Sequence, residues 1–149
     1  MVVGGAGLRR QRRVRYEVIS HTADTGIVAG GTTLSEVFAN AAYGMFDLMF
    51  DIGKVSPSVE RRVGAAGDTT EELLVGWLSA LLAVAEIEGF AFSSFSVQRL
   101  EGGEVEGVAR GVSSAGLPLR GSPIKGVTFH DLAVEEVAGG FRARVIFDV

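Results

Sequence analysis

One segment limits the folds open to this chain more than any other, the stretch from Asp68 to Val84. Asp68 and Glu71 have the three-residue spacing of a helix N-terminal capping pair. Apolar side chains then cover most of the circumference of the predicted helix: Leu73, Leu74, Trp77, Leu78, Leu81, Leu82 and Val84. A helix that is apolar nearly all round is stable only when other elements enclose it. We therefore predict that this helix is the central element of the core.

An earlier segment predicts a helix with one apolar face. Thr33 and Glu36 have the spacing of a capping box. The apolar residues that follow recur every three or four positions, namely Leu34, Val37, Phe38, Ala41, Met45 and Leu48. The segment 51–57 should end this helix.

The other regular segments predict strands joined mostly by short turns. The predicted strands are 14–19, 27–29, 59–66, 90–92, 94–100, 105–112, 124–137 and 141–149, with a loop over 113–123 and a hairpin turn at Gly139-Gly140. Strands joined by turns, with two helices grouped early, favour an α+β fold. We expect a single domain with a largely antiparallel or mixed sheet and the two main helices packed on one face.

Length and composition narrow the class of protein. The chain has 149 residues, the size of one domain, and contains no cysteine. Disulfides, thiolate metal sites and a cysteine nucleophile are therefore excluded, and a cytoplasmic protein is expected. No apolar run reaches the roughly 18 residues that a membrane helix needs, so we expect no membrane association.

Charge is distributed unevenly along the chain. The formal net charge is −4, yet five arginines precede the first acid, Glu17: Arg9, Arg10, Arg12, Arg13 and Arg15. The remainder then has nine basic and 18 acidic residues, a net charge of about −9, and such a body is a poor non-specific RNA binder. We expect residues 1–13 to be a flexible basic tail and residues 14–149 to form the domain. The alternative is a tail that contacts RNA.

Motifs for several chemistries are missing. The sequence has no Gly-x-x-x-x-Gly-Lys phosphate loop, no Gly-x-Gly-x-x-Gly that opens a helix and no Gly-x-Ser-x-Gly elbow. Two histidines, His21 and His130, are too few for a histidine-rich metal site. Asp24-Thr25-Gly26 also occurs in aspartic proteases, but two strong helices do not fit their all-β fold. The simpler interpretation is an Asx turn before a permissive glycine.

Asp148 is a candidate ligand because of the alternation in the last strand. The residues expected to face the core are Phe141, Ala143, Val145 and Phe147. Asp148 then lies on the opposite face, either as a surface acid paired with Arg144 or as part of an ion site. With the Val149 carboxylate it could form an all-oxygen site for a hard divalent ion.

Lys125, His21 and His130 complete the candidates. The chain uses twelve arginines and only two lysines, so a compact ammonium could be the reason for Lys125. The residues after Lys125 do not match the Lys-x-Asp-Gly of nucleotidyl-lysine ligases. Asp131 could orient His130, although either histidine is more often structural than catalytic.

Together and in order, these segments resemble the archease family. The matching stretches are His21 to Ile27, Leu34 to Met49, Glu72-Leu73-Leu74, Trp77-Leu78, Glu88-Gly89-Phe90, Lys125 to His130 and Val145 to Val149. The likeness runs from about Tyr16 to Val149. Its opening His-Thr-Ala-Asp and its final Phe-Asp-Val are specific as a pair.

The resemblance implies a function. Archeases assist the guanylylating tRNA-splicing ligase, which uses GTP and Mn²⁺ to join 2′,3′-cyclic phosphate or 3′-phosphate ends to 5′-hydroxyl ends. The chain would then be an activator and not an enzyme. Its protein partner would be the ligase, and it would interact with tRNA only indirectly, through the ligase. It would promote guanylylation of the ligase, allow multiple turnover and relax nucleotide specificity.

The resemblance also implies a set of site residues. Asp24, Asp148 and Val149 match the ligands of a divalent cation, with calcium expected. Lys125 matches the functional lysine and would act with the two acids in ligase activation. We expect at most a supporting role for His21 and His130.

Two features depart from the family pattern. The family usually has Lys-Ala where this chain has Lys125-Gly126. It often has Gly-Glu before the loop and a histidine within it, where this chain has Gly111-Val112 and a loop without histidine. A function of a different class stays open, a chaperone-like or RNA-binding module that acts through the basic tail.

Overall fold

The computed structural model describes residues 15–20 and 25–149. Its strands are β1 (Tyr16–Ser20), β2 (Thr25–Gly31), β3 (Val59–Ala66), β4 (Phe90–Glu101), β5 (Glu104–Ser113), β6 (Gly126–Val127), β7 (Ala133–Val137) and β8 (Gly140–Asp148). Its helices are α1 (Leu34–Met49), α2 (Thr70–Glu88) and a 3₁₀ turn at Ile52–Lys54. No helix in these two ranges is long and apolar enough to cross a membrane. The predicted tail, residues 1–13, lies outside the described residues.

The strands form two sheets in which neighbouring strands run antiparallel. In the first sheet β8 pairs with β2 on one side and with both β6 and β7 on the other, and β2 pairs in turn with β1. In the second sheet β5 lies between β3 and β4. The predicted α+β class is confirmed, and the strands divide between two sheets where one was expected.

Both helices contact strands of both sheets. α1 packs mainly against β2 and β4, whereas α2 packs mainly against β3 and also contacts β6 and β7. A helix that is apolar nearly all round needs cover on more than one side, and two sheets provide it. α2 accordingly buries Leu74, Trp77, Leu78 and Leu81 completely, which confirms its predicted central position.

Both α-helices begin at a threonine cap, as predicted for Thr33 of α1. The predicted cap of α2 was wrong by one residue. Thr69, and not Asp68, accepts the backbone N–H of Glu72 through its hydroxyl at 3.1 Å. Asp68 instead donates its backbone N–H to the Glu72 carboxylate at 2.8 Å. The Thr69–Glu72 pair has the same spacing as Asp68–Glu71, so spacing alone could not choose between them.

The prediction of one long strand over 124–137 was wrong. β6 ends at Val127 and β7 begins at Ala133, and the five residues between them stand opposite only Val145 and Ile146 of β8. Two residues of β8 cannot pair with all five of these residues, so most of the five leave the sheet and form a turn. Apolar alternation does not reveal such an excess, because it says nothing about the length of the partner strand.

Trp77 joins α2 to the elements around it. Its side chain is fully buried, and its indole N–H donates a hydrogen bond to the backbone carbonyl of Phe38 in α1 at 3.1 Å. The ring also lies against Gly107 of β5, where a Cβ would come within 2.7 Å of it. One side chain therefore contacts both the other helix and the second sheet.

Replacing Trp77 by alanine should lower the free energy of unfolding by about 3–5 kcal/mol, because the change leaves a cavity and removes the indole hydrogen bond to the Phe38 carbonyl. Urea unfolding followed by circular dichroism measures the loss. Ile87→Ala is the matched control, since Ile87 lies on the same helix but is 83% exposed, and it should change stability by less than about 0.5 kcal/mol. A near-neutral Trp77→Ala would show that the core assignment is wrong.

Candidate functional site

The carboxyl end of β8 brings distant segments of the chain together. Thr25, at the start of β2, pairs with Phe147. Gly126, at the start of β6, pairs with Asp148 on the other side of the strand. The central strand of the first sheet thus carries the predicted acid Asp148 to a position between segments from the beginning and the end of the chain.

Lys125 is held beside Asp148 by the backbone. The Lys125 N–H donates a hydrogen bond to the Asp148 carbonyl oxygen at 2.7 Å. The preceding residue, Ile124, is buried and anchors the segment in the core. Lys125 and Asp148 are both exposed, so neighbouring segments present an ammonium and a carboxylate at the surface.

Close packing between β2 and β8 depends on Gly26. A Cβ at this position would come within 2.6 Å of both the Val145 carbonyl oxygen and the Cδ1 atom of Ile146. The bare glycine lets the Ile146 side chain lie over β2, where it is only 3% exposed. Gly26 therefore lies within a strand and permits a close approach, whereas the sequence suggested a permissive glycine in a turn.

Burial along β8 follows the predicted alternation, apart from Ile146. The buried residues on the core side are Ala143, Val145 and Phe147, and the exposed ones are Arg142, Arg144 and Asp148. Arg142 pairs with Glu135 at 2.6 Å. Among the described residues no ion pair joins Asp148 to Arg144, so that pairing does not account for the acid.

His130 lies on a turn that is attached to the same strand. Its Nε2 atom is 3.4 Å from the carboxylate of Asp131, the residue predicted to orient it, and both side chains are exposed. The other supporting candidate, His21, lies outside the described residues, as does Asp24. Their predicted roles stay predictions.

Thr128, which was not among the predicted site residues, fixes this turn to β8. Its backbone N–H and its hydroxyl both donate to the Ile146 carbonyl oxygen, at 3.1 and 2.9 Å. The hydroxyl also accepts the backbone N–H of His130 at 3.3 Å. A threonine followed closely by the polar pair His130-Asp131 was the signal in the sequence for a turn at this point.

The oxygen donors at the end of β8 suit a hard cation. Asp148 offers a carboxylate, and Val149, 37% exposed, offers backbone oxygen. Carboxylate and carbonyl oxygens are the ligands that calcium takes. Within residues 15–20 and 25–149 there is no group of three or more acidic, histidine or cysteine side chains that could hold a metal. The predicted set thus fits calcium in its chemistry and needs Asp24 to be complete.

Fold and site together define a class, a small α+β domain of two antiparallel sheets with a candidate oxygen-donor site at the end of its central strand. The sequence model of the Archease protein family (MTH1598/TM1083) matches residues 16–149. The chain belongs to the archease family, and the predicted resemblance is confirmed.

Individual relatives agree with this assignment. The archease of Methanosarcina acetivorans is 39% identical over 141 residues, covering 91% of this chain and 96% of the relative. That of Methanothermobacter thermautotrophicus is 36% identical over 137 residues, covering 90% and 98%. The solution structure of Methanobacterium thermoautotrophicum protein 1598 has 36% identity and a TM-score of 0.80, covering 91% and 99%. A Thermotoga maritima archease, described as a possible chaperone, has 21% identity and a TM-score of 0.62, covering 88% and 94%, and shows a similar fold alone.

Replacing Gly26 and Gly126 by alanine should have different effects on stability, because Gly26 lies close against β8 whereas Gly126 has open space where a Cβ would lie. Gly126→Ala, which gives the Lys-Ala pair that the family resemblance led us to expect, should change the free energy of unfolding by less than about 0.5 kcal/mol. Among the described residues, apart from Gly126 and its chain neighbours, no atom lies within 4 Å of the added Cβ. Gly26→Ala should cost about 1–3 kcal/mol, because its Cβ overlaps the Val145 carbonyl. Chemical unfolding of both variants checks the difference, and equal stabilities would contradict the role given to Gly26.

Proposed function

We propose that this protein activates the GTP-dependent RNA ligase of tRNA splicing. That ligase joins RNA ends with a 2′,3′-cyclic phosphate or 3′-phosphate to ends with a 5′-hydroxyl. The protein promotes guanylylation of the ligase, allows it to turn over many times and relaxes its nucleotide specificity. In this proposal the protein supplies ligands and charge, and the ligase performs the chemistry.

The observation that carries the proposal is the strand register at the end of β8. Thr25, the first residue of β2, pairs with Phe147. In the sequence Asp24 precedes Thr25, and Asp148 follows Phe147. Consecutive Cα atoms are about 3.8 Å apart, so each acid is only one peptide unit away from this pair in the covalent chain. Two acids that are each one peptide unit from the same strand pair would suit a shared cation.

Simple electrostatics favours a cation between these acids. Two carboxylates held close together repel each other, and a divalent ion removes that repulsion. We infer that Asp24, Asp148 and a backbone oxygen of Val149 bind one ion. A set of oxygens alone favours calcium over zinc.

The exposure of these groups suits an action on a partner protein. Lys125, Asp148 and Val149 all lie at the surface, at one end of the sheet. Groups placed in this way can enter the active site of the ligase. There the Lys125 ammonium would contact the phosphates of GTP, while the acids hold a cation beside them.

The direct test measures turnover of the ligase. Purified ligase receives GTP, Mn²⁺ and nicked RNA with and without this protein, and the ligated product per ligase is followed over time. The proposed function requires more than one ligation per ligase only when this protein is present. Equal turnover in both reactions would refute it.

Asp24→Ala and Asp148→Ala should each abolish stimulation of the ligase without loss of folding. The double variant should be no worse than either single one, because both acids serve one site. Calorimetric titration with calcium gives a second readout, in which each single variant should lose binding.

Glu101→Ala is the matched control for these variants, since it removes an exposed acid from the second sheet and should leave both calcium binding and stimulation unchanged. Full stimulation by either aspartate variant would show that the acid is not part of the site.

The alternative function, a chaperone-like or RNA-binding module, depends on the basic tail. Residues 1–13 precede the region matched by the family, so their deletion should leave stimulation of the ligase unchanged. The truncated and full-length proteins are compared in the turnover reaction and in a filter-binding measurement with RNA. Loss of stimulation with an unchanged circular dichroism spectrum would assign the activity to the tail and overturn the expectation.

A further inference from the structure

The turn between β6 and β7, residues 128–132, exposes an aromatic side chain. Phe129 is 61% exposed, and it is the only aromatic among the strongly exposed large apolar residues of the described segments. Aromatic side chains are enriched in the buried centres of protein interfaces, because they remove much apolar area from water. An exposed aromatic side chain on a structured turn is therefore a candidate for contact with another molecule.

Strand register places this turn close to the candidate site. Thr128 binds the carbonyl of Ile146, and Ile146 precedes Asp148 by two positions, roughly 7 Å along a strand. Phe129 follows Thr128 directly. Val149, which is 37% exposed, extends the same end of the sheet. Exposed apolar groups thus flank the acid and the lysine.

The turn is anchored on both sides of Phe129. Before it, Thr128 makes two hydrogen bonds to β8. After it, Leu132 packs against the core, and its N–H donates to the Phe129 carbonyl at 3.2 Å. Asp131 has a φ of 51°, in the left-handed region that aspartate adopts in turns more readily than most residues. Phe129 therefore loses little backbone freedom when a partner binds it.

We propose that Phe129 anchors this protein in an apolar pocket of the ligase beside the ligase active site. This inference rests on the proposed function and names the contact that function lacks. Lys125 and Asp148 are hydrated charges suited to an active site, whereas Phe129 supplies a contact that excludes water. The exposed residues His130 and Asp131 follow Phe129 in the sequence, so the turn combines an aromatic group with polar ones, as protein interfaces do.

The test compares the affinity of each variant for the ligase with the maximal stimulation of the ligase that the variant reaches. Binding of this protein to the ligase is measured by calorimetry without RNA and GTP, and stimulation is measured over a range of protein concentrations. Phe129→Ala should weaken binding by roughly tenfold or more and raise the half-maximal concentration by the same factor, with maximal stimulation unchanged. Asp148→Ala should do the opposite and abolish stimulation at saturation.

Two further variants define the contact. Phe129→Leu keeps an apolar group of similar reach and should restore most of the affinity. Ile87→Ala removes a more exposed apolar side chain from a different element, α2, and should bind like the wild type. Thermal unfolding of each variant should match the wild type, because Phe129 contributes little to the core.

Each other outcome overturns the inference in a distinguishable way. If the wild type stimulates the ligase and Phe129→Ala binds equally well, the anchor is wrong and the proposed function stands. If the wild type does not stimulate, the proposed function itself fails. If Phe129→Leu fails like Phe129→Ala and the loss appears only with RNA, the ring stacks on a base. Loss of a wild-type dimer in sedimentation, with ligase binding intact, would assign Phe129 to self-association.

Discussion

Pairing of β8 on both sides is the constraint on which the rest of the structure depends. The last strand of the chain pairs with β2, which precedes both helices, and with β6 and β7, which follow them. Its inward residues, Ala143, Val145 and Phe147, are buried, so the strand also closes the core. Contacts between such distant segments form only when most of the chain is in place. The candidate site at the end of β8 is therefore a property of the completed fold and of no single segment.

The two helices explain why the end of β8 is held firmly. α2 contacts β6 and β7, and α1 contacts β2 and β8, so the strands around the site rest on a common core. Trp77 joins the helices through its hydrogen bond to Phe38, and its ring fills the space left by Gly107. A site on strands supported in this way is more precisely positioned than one on a free loop.

Patterns within one element could be predicted from the sequence, and relations between elements could not. Apolar periodicity located α1 and α2, and alternation in β8 placed Asp148 on the outer face. The cap at Thr69 was missed because Thr69–Glu72 and Asp68–Glu71 have the same spacing. The turn at 128–132 was missed because it arises from the number of β8 residues that stand opposite this segment. Apart from the family resemblance, nothing in the sequence brings Lys125 to Asp148, since a backbone hydrogen bond between strands joins them.

That hydrogen bond also bears on how an exposed site can be specific. The Asp148 carbonyl accepts the Lys125 N–H and so has one of its two lone pairs occupied, which leaves the Asp148 carboxylate and the Val149 oxygens as the freer donors. The ladder fixes the backbone of both residues, so a cation or a partner has only side-chain rotamers left to order, a cost of up to about 2 kcal/mol for a lysine. Thr128 fixes the neighbouring turn by the same means. Exposure would then give a partner access to Lys125 and Asp148, while the ladder fixes the geometry of their backbone.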